Sequence, residues 1–281
     1  MVINLTEKEY RSHPAISRSE LWHMRESPEK FIWHKEHPPE PTPAMLFGQV
    51  AHKLMFLPEE FDAEFAVMPD INRRTKAGQV EYEQFLADNA GKTIVKADMY
   101  EQANAMVDAA RRHPLVAQYL TGQAEQPFFW TDDLTGEECK CRTDMLTVID
   151  DFPVVVDYKT TRNASTEAFN NEIFRYGYHF QAAMYTTGVM ECMGLTERPD
   201  FVFICQEKTA PYSVNVIEVS EGVMLAGLDK YRELLGQYHE CKEMGVWYGY
   251  NGPFDEPNES FLPGWVQLGV EEEEDTDGAE E

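Results

Sequence analysis

Apolar positions in the first 120 residues recur at helical spacing, whereas those of the middle of the chain run in consecutive or alternating blocks. Ile16, Leu21, Met24, Phe31 and Ile32 predict a helix over residues 15–35, with Ser17 or Ser19 as its cap. Pro38, Pro39, Pro41 and Pro43 then break the chain into a loop. A second helix is expected after Gly48, with Val50, Leu54 and Met55 on its apolar side and His52 within it. Residues 58–76 read as irregular. Helices follow at 77–88 and 97–112, the second striped by Ala103, Met106, Val107 and Ala110.

After Gly122 the period changes. Residues 127–131 and 140–149 predict an antiparallel hairpin about a turn at 132–136. Asp150-Asp151 turns the chain into a strand at 154–159, where three valines in a row favour an extended backbone. Helices at 166–175 and 179–193, a buried strand at 201–205, an edge strand at 213–219 and a helix at 221–244 complete the pattern. The last helix carries Met224, Leu228, Tyr231, Leu235 and Tyr238 on one stripe, and a Pro- and Gly-rich loop follows at 249–264. Strands in series, then a helix, then further strands predict an α/β fold, a mixed central β-sheet flanked by helices with an N-terminal helical region.

The strand at 154–159 ends in chemistry. Asp157 and Lys159 are two apart, so they share a face of the strand. A carboxylate and an ammonium at the end of an apolar strand are costly unless they do something. Asp144, in the preceding strand, is expected to come alongside Asp157. Two such carboxylates, with the Tyr158 backbone carbonyl, make an oxygen-rich set suited to Mg²⁺. Hydrolysis of a phosphodiester needs an activated water and neutralisation of charge on the phosphorane, both of which a bound divalent ion supplies. Lys159 would position the water and stabilise the anionic transition state. His52 is a candidate for a further metal position. Gln181 and Tyr185 fall on one face of their helix, and an amide on that buried stripe calls for a partner.

Composition narrows this only in part. The chain has 281 residues, 43% hydrophobic and 26% charged, enough for a sizeable core. No apolar stretch is long enough to span a membrane, so no membrane association is expected. The N-terminus lacks a basic region followed by an apolar one, and the five cysteines are odd in number. Both features predict a cytoplasmic protein with free thiols. Cys139-Lys140-Cys141 is too tight for a zinc knuckle and reads as structural. The formal net charge of −26 weighs against a nucleic-acid partner, although eight of the acids lie in the tail from Glu271 to Glu281. That tail, within an acidic segment at 266–281, has too few apolar groups to pack and should be disordered.

These motifs, taken in order, resemble the nuclease domain of the RecE (exonuclease VIII) family within the PD-(D/E)xK superfamily. The resemblance rests on residues 15–21 (Ala-Ile-Ser-Arg-Ser-Glu-Leu), on Phe47-Gly48-Gln49-Val50-Ala51-His52, and on Asn72-Arg73-Arg74-Thr75. Further stretches are Cys141-Arg142-Thr143-Asp144, Val156-Asp157-Tyr158-Lys159-Thr160-Thr161, and residues 178–185 with Gln181 and Tyr185. Such a likeness implies a single nuclease domain over residues 1–265 with its core at about 122–245. It also implies Mg²⁺ dependence, with Mn²⁺ as a substitute, and 5′→3′ digestion of linear double-stranded DNA to 3′ overhangs for strand-annealing recombination. A ring-shaped homo-oligomer, a tetramer, and a RecT-like annealing partner follow from it too. By the same resemblance His52, Asp144 and Asp157 bind metal, Lys159 is catalytic, and Gln181 and Tyr185 support the site. Ser17, Ser19 and Arg25 would hold the DNA 5′ end, by analogy with lambda exonuclease. A ring also reconciles acidity with a DNA substrate, since an acidic exterior repels duplex while a basic channel admits it. The chain lacks the long N-terminal extension of RecE, and its acidic tail has no counterpart there. Two other readings share these residues: an endonuclease on the same core, and a non-catalytic binding protein or acidic DNA mimic.

Overall fold

A computed structural model describes residue 5, residues 7–263 and residue 266. The acidic segment at 266–281, expected to be disordered, lies outside the described residues apart from Val266. The described chain runs through α1 (Glu7–Ser12), β1 (Ile16–Ser17), α2 (Arg18–Leu21), α3 (Pro28–Glu36), α4 (Pro43–Phe56) and α5 (Phe61–Glu64). It continues with β2 (Phe65–Met68), α6 (Lys76–Asp88), β3 (Thr93–Lys96), α7 (Ala97–Arg111) and α8 (Pro114–Tyr119). The central run is β4 (Gln123–Thr131), β5 (Glu138–Ile149), β6 (Phe152–Thr161), α9 (Thr166–Arg175), α10 (Tyr178–Met193), β7 (Asp200–Glu207), β8 (Val214–Glu218) and α11 (Glu221–Met244).

Six strands form one mixed sheet in the order β1-β5-β6-β7-β8, with β4 also paired to β5. The β4–β5 and β5–β6 pairs are antiparallel, and β6–β7 is parallel. Helices cover both faces. Val154, Val156, Tyr158, Val202 and Ile204 pack with α4 and α7 on one side. Val155, Phe201, Phe203 and Cys205 pack with α9 and α10 on the other. This alternation is the period-2 signature of a strand buried on both faces.

Several expectations change. The helix predicted over 15–35 is interrupted: Ile16–Ser17 pairs in parallel with Cys139 and Lys140 of β5, and a 3-10 turn at Trp22–Arg25 separates α2 from α3. Ser17 caps α2 in a reciprocal capping box with Glu20. The helix bearing His52 starts at Pro43 rather than after Gly48, because Thr42 caps it and proline is well tolerated in the first turn. Residues 58–76 are not wholly irregular, since β2 pairs in parallel with β3 in a separate two-stranded sheet. The short helix α8 was not foreseen.

Two features fix α10, the helix that faces the end of β6. It enters through Gly177 at φ 69°, where a Cβ would meet the Trp22 ring at 2.5 Å. It is then anchored by apolar side chains, with Phe180 and Met184 packed among Tyr231, Leu234 and Leu235 of α11. Burying each large side chain contributes roughly 1.5–3 kcal/mol, against about 1 kcal/mol for a polar contact. The polar residues α10 turns toward the sheet are therefore not what holds it in place.

Candidate active site

The β5–β6 ladder ends at Met145↔Val156. Its next rung would pair Asp144 with Asp157, and there the strands part. Asp144 Oδ2 accepts the main-chain N–H of Tyr158 at 2.8 Å. Because the N–H and C=O of one residue in an extended strand lie on the same edge, the Tyr158 carbonyl faces the same fork. The Tyr158 side chain points to the opposite face, where its hydroxyl donates to Gln206 at 2.6 Å.

Asp157 lies at the base of the fork, 2% exposed, and its Oδ1 accepts the side-chain amide of Gln181 from α10. Lys159 Nζ is 2.6 Å from Asp157 Oδ2, a close ion pair at a buried carboxylate oxygen. The Lys159 ammonium also lies 4.7 Å from the Tyr178 ring centroid. His52 enters from α4, with Nε2 3.0 Å from Asp144 Oδ1. The rim is open: side-chain exposure is 16% at Asp144, 20% at Lys159 and 26% at His52, so a phosphate can reach these groups although Asp157 beneath them is enclosed.

The electrostatics follow from this crowding. Burial, helped by the Asp144 charge, outweighs Lys159 and lifts the Asp157 carboxyl to about 6. Burial also acts on Asp144, but the charge and hydrogen bond of His52 prevail and hold its carboxyl below the usual range. Burial opposes the charged forms of Lys159 and His52, yet the surrounding acids raise both, so Lys159 is an ammonium here.

Among the described residues no group of three or more His, Cys, Asp or Glu side chains is already gathered about one metal position. The donor chemistry nevertheless suits a hard divalent cation: two carboxylates at the fork, a main-chain carbonyl and an imidazole. His52, Asp144, Asp157 and the Tyr158 carbonyl are the groups that could hold it.

The structure thus brings together His52, Asp144, Asp157, Tyr158, Lys159 and Gln181. Tyr185, one turn beyond Gln181, packs within the apolar core, and among the described residues its hydroxyl bonds neither aspartate. The Ser17 hydroxyl is engaged with Glu20 and lies 3.3 Å from that of Ser19, while Arg25 pairs with Glu26 over the Trp22 ring. The structure puts these three in local contacts and gives no contact between them and the aspartates. Arg18, beside them, donates to the Tyr176 carbonyl, its Nε is buried without a hydrogen-bond partner, and burial holds its guanidinium below the usual range. Sequence reasoning also missed Glu125, which is 3.1 Å from His52 Nδ1 and 2.6 Å from Arg142 Nε. Its place depends on a backbone φ of 52° that no residue pattern announces.

A mixed sheet flanked by helices, forking at two aspartates with a lysine two residues past the second, matches a PDDEXK-like nuclease fold. The chain belongs to the family described as a PDDEXK-like domain of unknown function (DUF3799), whose model matches residues 17–256. Among solved structures it is similar to a protein from Eubacterium rectale described as "Putative exonuclease". That match has 16% identity and a TM-score of 0.61, over 93% of this chain and 97% of that one. A match to a structure described as SSO0001 (13% identity, 68% of this chain and 86% of that one) has a TM-score of 0.30 and bears no weight. No curated protein matches the sequence. Among the described residues no helix is long and apolar enough to cross a membrane, and the five cysteines are unpaired.

Proposed function

We propose that this protein is a Mg²⁺-dependent exonuclease that digests linear double-stranded DNA 5′→3′, leaving 3′ overhangs for strand-annealing recombination. The observation that carries the reading is the fork itself. Two aspartates meet where β5 and β6 part, and Lys159 Nζ stands 2.6 Å from one of them. A divalent cation held there, Mg²⁺ or Mn²⁺ in its place, would supply charge neutralisation and a more acidic water. The chain's own residues account for the rest. Gln181 and the Tyr158 amide fix the two carboxylates, so neither need reorganise as charge develops. Lys159, kept cationic, would orient the attacking water and stabilise the anionic phosphorane.

The 5′ polarity, a tetrameric ring, a RecT-like partner and a cytoplasmic setting belong to the same proposal. They are supported by the likeness to RecE and, for the ring, by the net charge of −26, which disfavours duplex on an open outer surface. Digestion of a linear duplex labelled at one 5′ end, beside a covalently closed circle of the same sequence, tests it. Early release of 5′ label with the circle intact is expected. Cleavage of the circle would make the protein an endonuclease, and an inert wild type under Mg²⁺ and Mn²⁺ would leave only a binding protein.

A further inference from the structure

Glu125 sits within β4, in the β4–β5 register opposite Asp144, since Ala124 pairs with Met145 and Gln126 with Thr143. Its φ of 52° is a left-handed conformation that a residue bearing a Cβ adopts only at a cost. Both strands keep one register through this point while the faces they present change over. Residues an even number apart should share a face, yet Ala124 packs with the α4–α7 cluster and Trp130 with the α10–α11 cluster. Met145 and Cys141 divide in the same way. That register sets Glu125 beside Asp144, with both carboxylates against His52: Glu125 Oε1 is 3.1 Å from Nδ1 and Asp144 Oδ1 is 3.0 Å from Nε2. Arg142 Nε, 2.6 Å from Glu125 Oε2, orients the glutamate, and the Arg142 guanidinium packs 4.9 Å from the Tyr10 ring centroid.

We propose that Glu125 is a positioning residue that retains the Nδ1 proton of His52 and so presents Nε2 as the ring's ligand atom. The proposal rests on the reading of His52 as a metal ligand. A neutral imidazole carries one N–H; once Asp144, the carboxylate at Nε2, is turned toward a cation, the Glu125 carboxylate at Nδ1 decides which nitrogen keeps it. Without Glu125 the proton can move to Nε2 and block the lone pair that faces Asp144. The strained backbone in β4 is what delivers the carboxylate to Nδ1.

Glu125→Gly separates this role from a structural one, because glycine adopts φ 52° freely and loses only the side chain. Calorimetric titration of Mg²⁺ into wild type, Glu125→Gly, Glu125→Gln and His52→Ala gives affinities. Long-range ¹H–¹⁵N spectra of Mg²⁺-saturated protein report the His52 tautomer. Glu125→Gly is expected to melt no lower than wild type, to bind Mg²⁺ about 10–100-fold more weakly, and to show Nε2–H. Glu125→Gln, whose amide oxygen still accepts from Nδ1, should lose affinity less than about tenfold and keep Nδ1–H. Affinity of Glu125→Gly within twofold of wild type, or an unchanged tautomer, overturns the proposal. If His52→Ala also binds Mg²⁺ as wild type does, the ligand reading of His52 has failed. If His52→Ala weakens binding and Glu125→Gly does not, only the positioning role has failed. Should Glu125→Gly not fold, Arg142→Gln serves in its place, with a loss of affinity expected and wild-type affinity counting against the proposal.

Discussion

The Tyr158 amide donates to Asp144 Oδ2 at 2.8 Å across the gap that opens between β5 and β6. The carboxylate thus takes the place of the main-chain acceptor that the next hydrogen-bonded rung, Tyr158 opposite Thr143, would have supplied. Asp144→Asn keeps an oxygen for that amide but loses the charge that pairs with His52. The fold should survive, with a melting temperature within a few degrees of wild type, while duplex cleavage falls by about 10²-fold. Thermal melts and initial rates on the same preparations check this, and parallel loss of both would point to a merely structural aspartate.

Gln181 is the only residue of α10 whose side chain hydrogen-bonds to Asp157 among the described residues. Apolar contacts secure the helix without it, so Gln181→Leu should fold. Cleavage or Mg²⁺ affinity should drop about 10–100-fold, because the amide that orients the carboxylate is gone. Wild-type rates at limiting Mg²⁺ would show that Asp157 needs no support.

Burial raises the Asp157 carboxyl to about 6, so the metal-free protein must ionise it in the neutral range. The sign follows from linkage. A carboxyl raised in the folded state favours folding below its ordinary range, and that contribution is lost as pH rises through about 6. A cation beside it reverses the penalty. Mg²⁺ should therefore raise the melting temperature more at pH 8 than at pH 5, and the acid limb of activity should lie near pH 6 at limiting Mg²⁺ and move lower at saturation. An acid limb independent of Mg²⁺ would separate Asp157 from the metal.

Asp132 and Glu137, at the β4–β5 turn, are buried and tied to α11 by Arg232 and Lys242. For each, burial works against ionisation, but the hydrogen bonds and charges prevail and hold the carboxyl below its ordinary value. Such groups stabilise the fold above their unfolded values and lose that effect as pH falls through the depressed ones. Glu137→Gln should cost of order 1 kcal/mol at pH 7, with the difference from wild type vanishing in strong acid. Urea melts between pH 2 and 7 measure it.

A Cβ on Gly227 would meet the His179 carbonyl at 2.1 Å, where α11 crosses the first turn of α10. Backbone cannot step aside as a flexible side chain can. Gly227→Ala should therefore destabilise by about 1–3 kcal/mol through overpacking, readable as a lower urea midpoint. An unchanged midpoint would mean that the helices can slide apart.

What the sequence disclosed tracks the strength of local pattern. The valine run and the Asp-Tyr-Lys that ends it place β6 and its charged face, and α11 reads at its full length because its stripe is long. Asp144 was legible because β5 precedes β6 across a two-residue turn, which forces antiparallel pairing. The two-residue β1 was hidden, since its partner is some 120 residues away in the chain and its side chains also suit a helix. Pro43 has the pattern of a breaker yet begins α4, since proline suits a helix's first turn. Glu125 was illegible for a different reason: its backbone is held at a φ of 52° that no residue pattern announces.

The most direct measurement is the initial rate of linear-duplex degradation in Mg²⁺ by wild type and by Lys159→Ala, the latter removing the ammonium 2.6 Å from Asp157. A fall of about 10²–10³-fold, with folding and DNA binding retained, is the result expected of a group that stabilises the transition state. Equal rates for the two proteins would contradict the site assigned here.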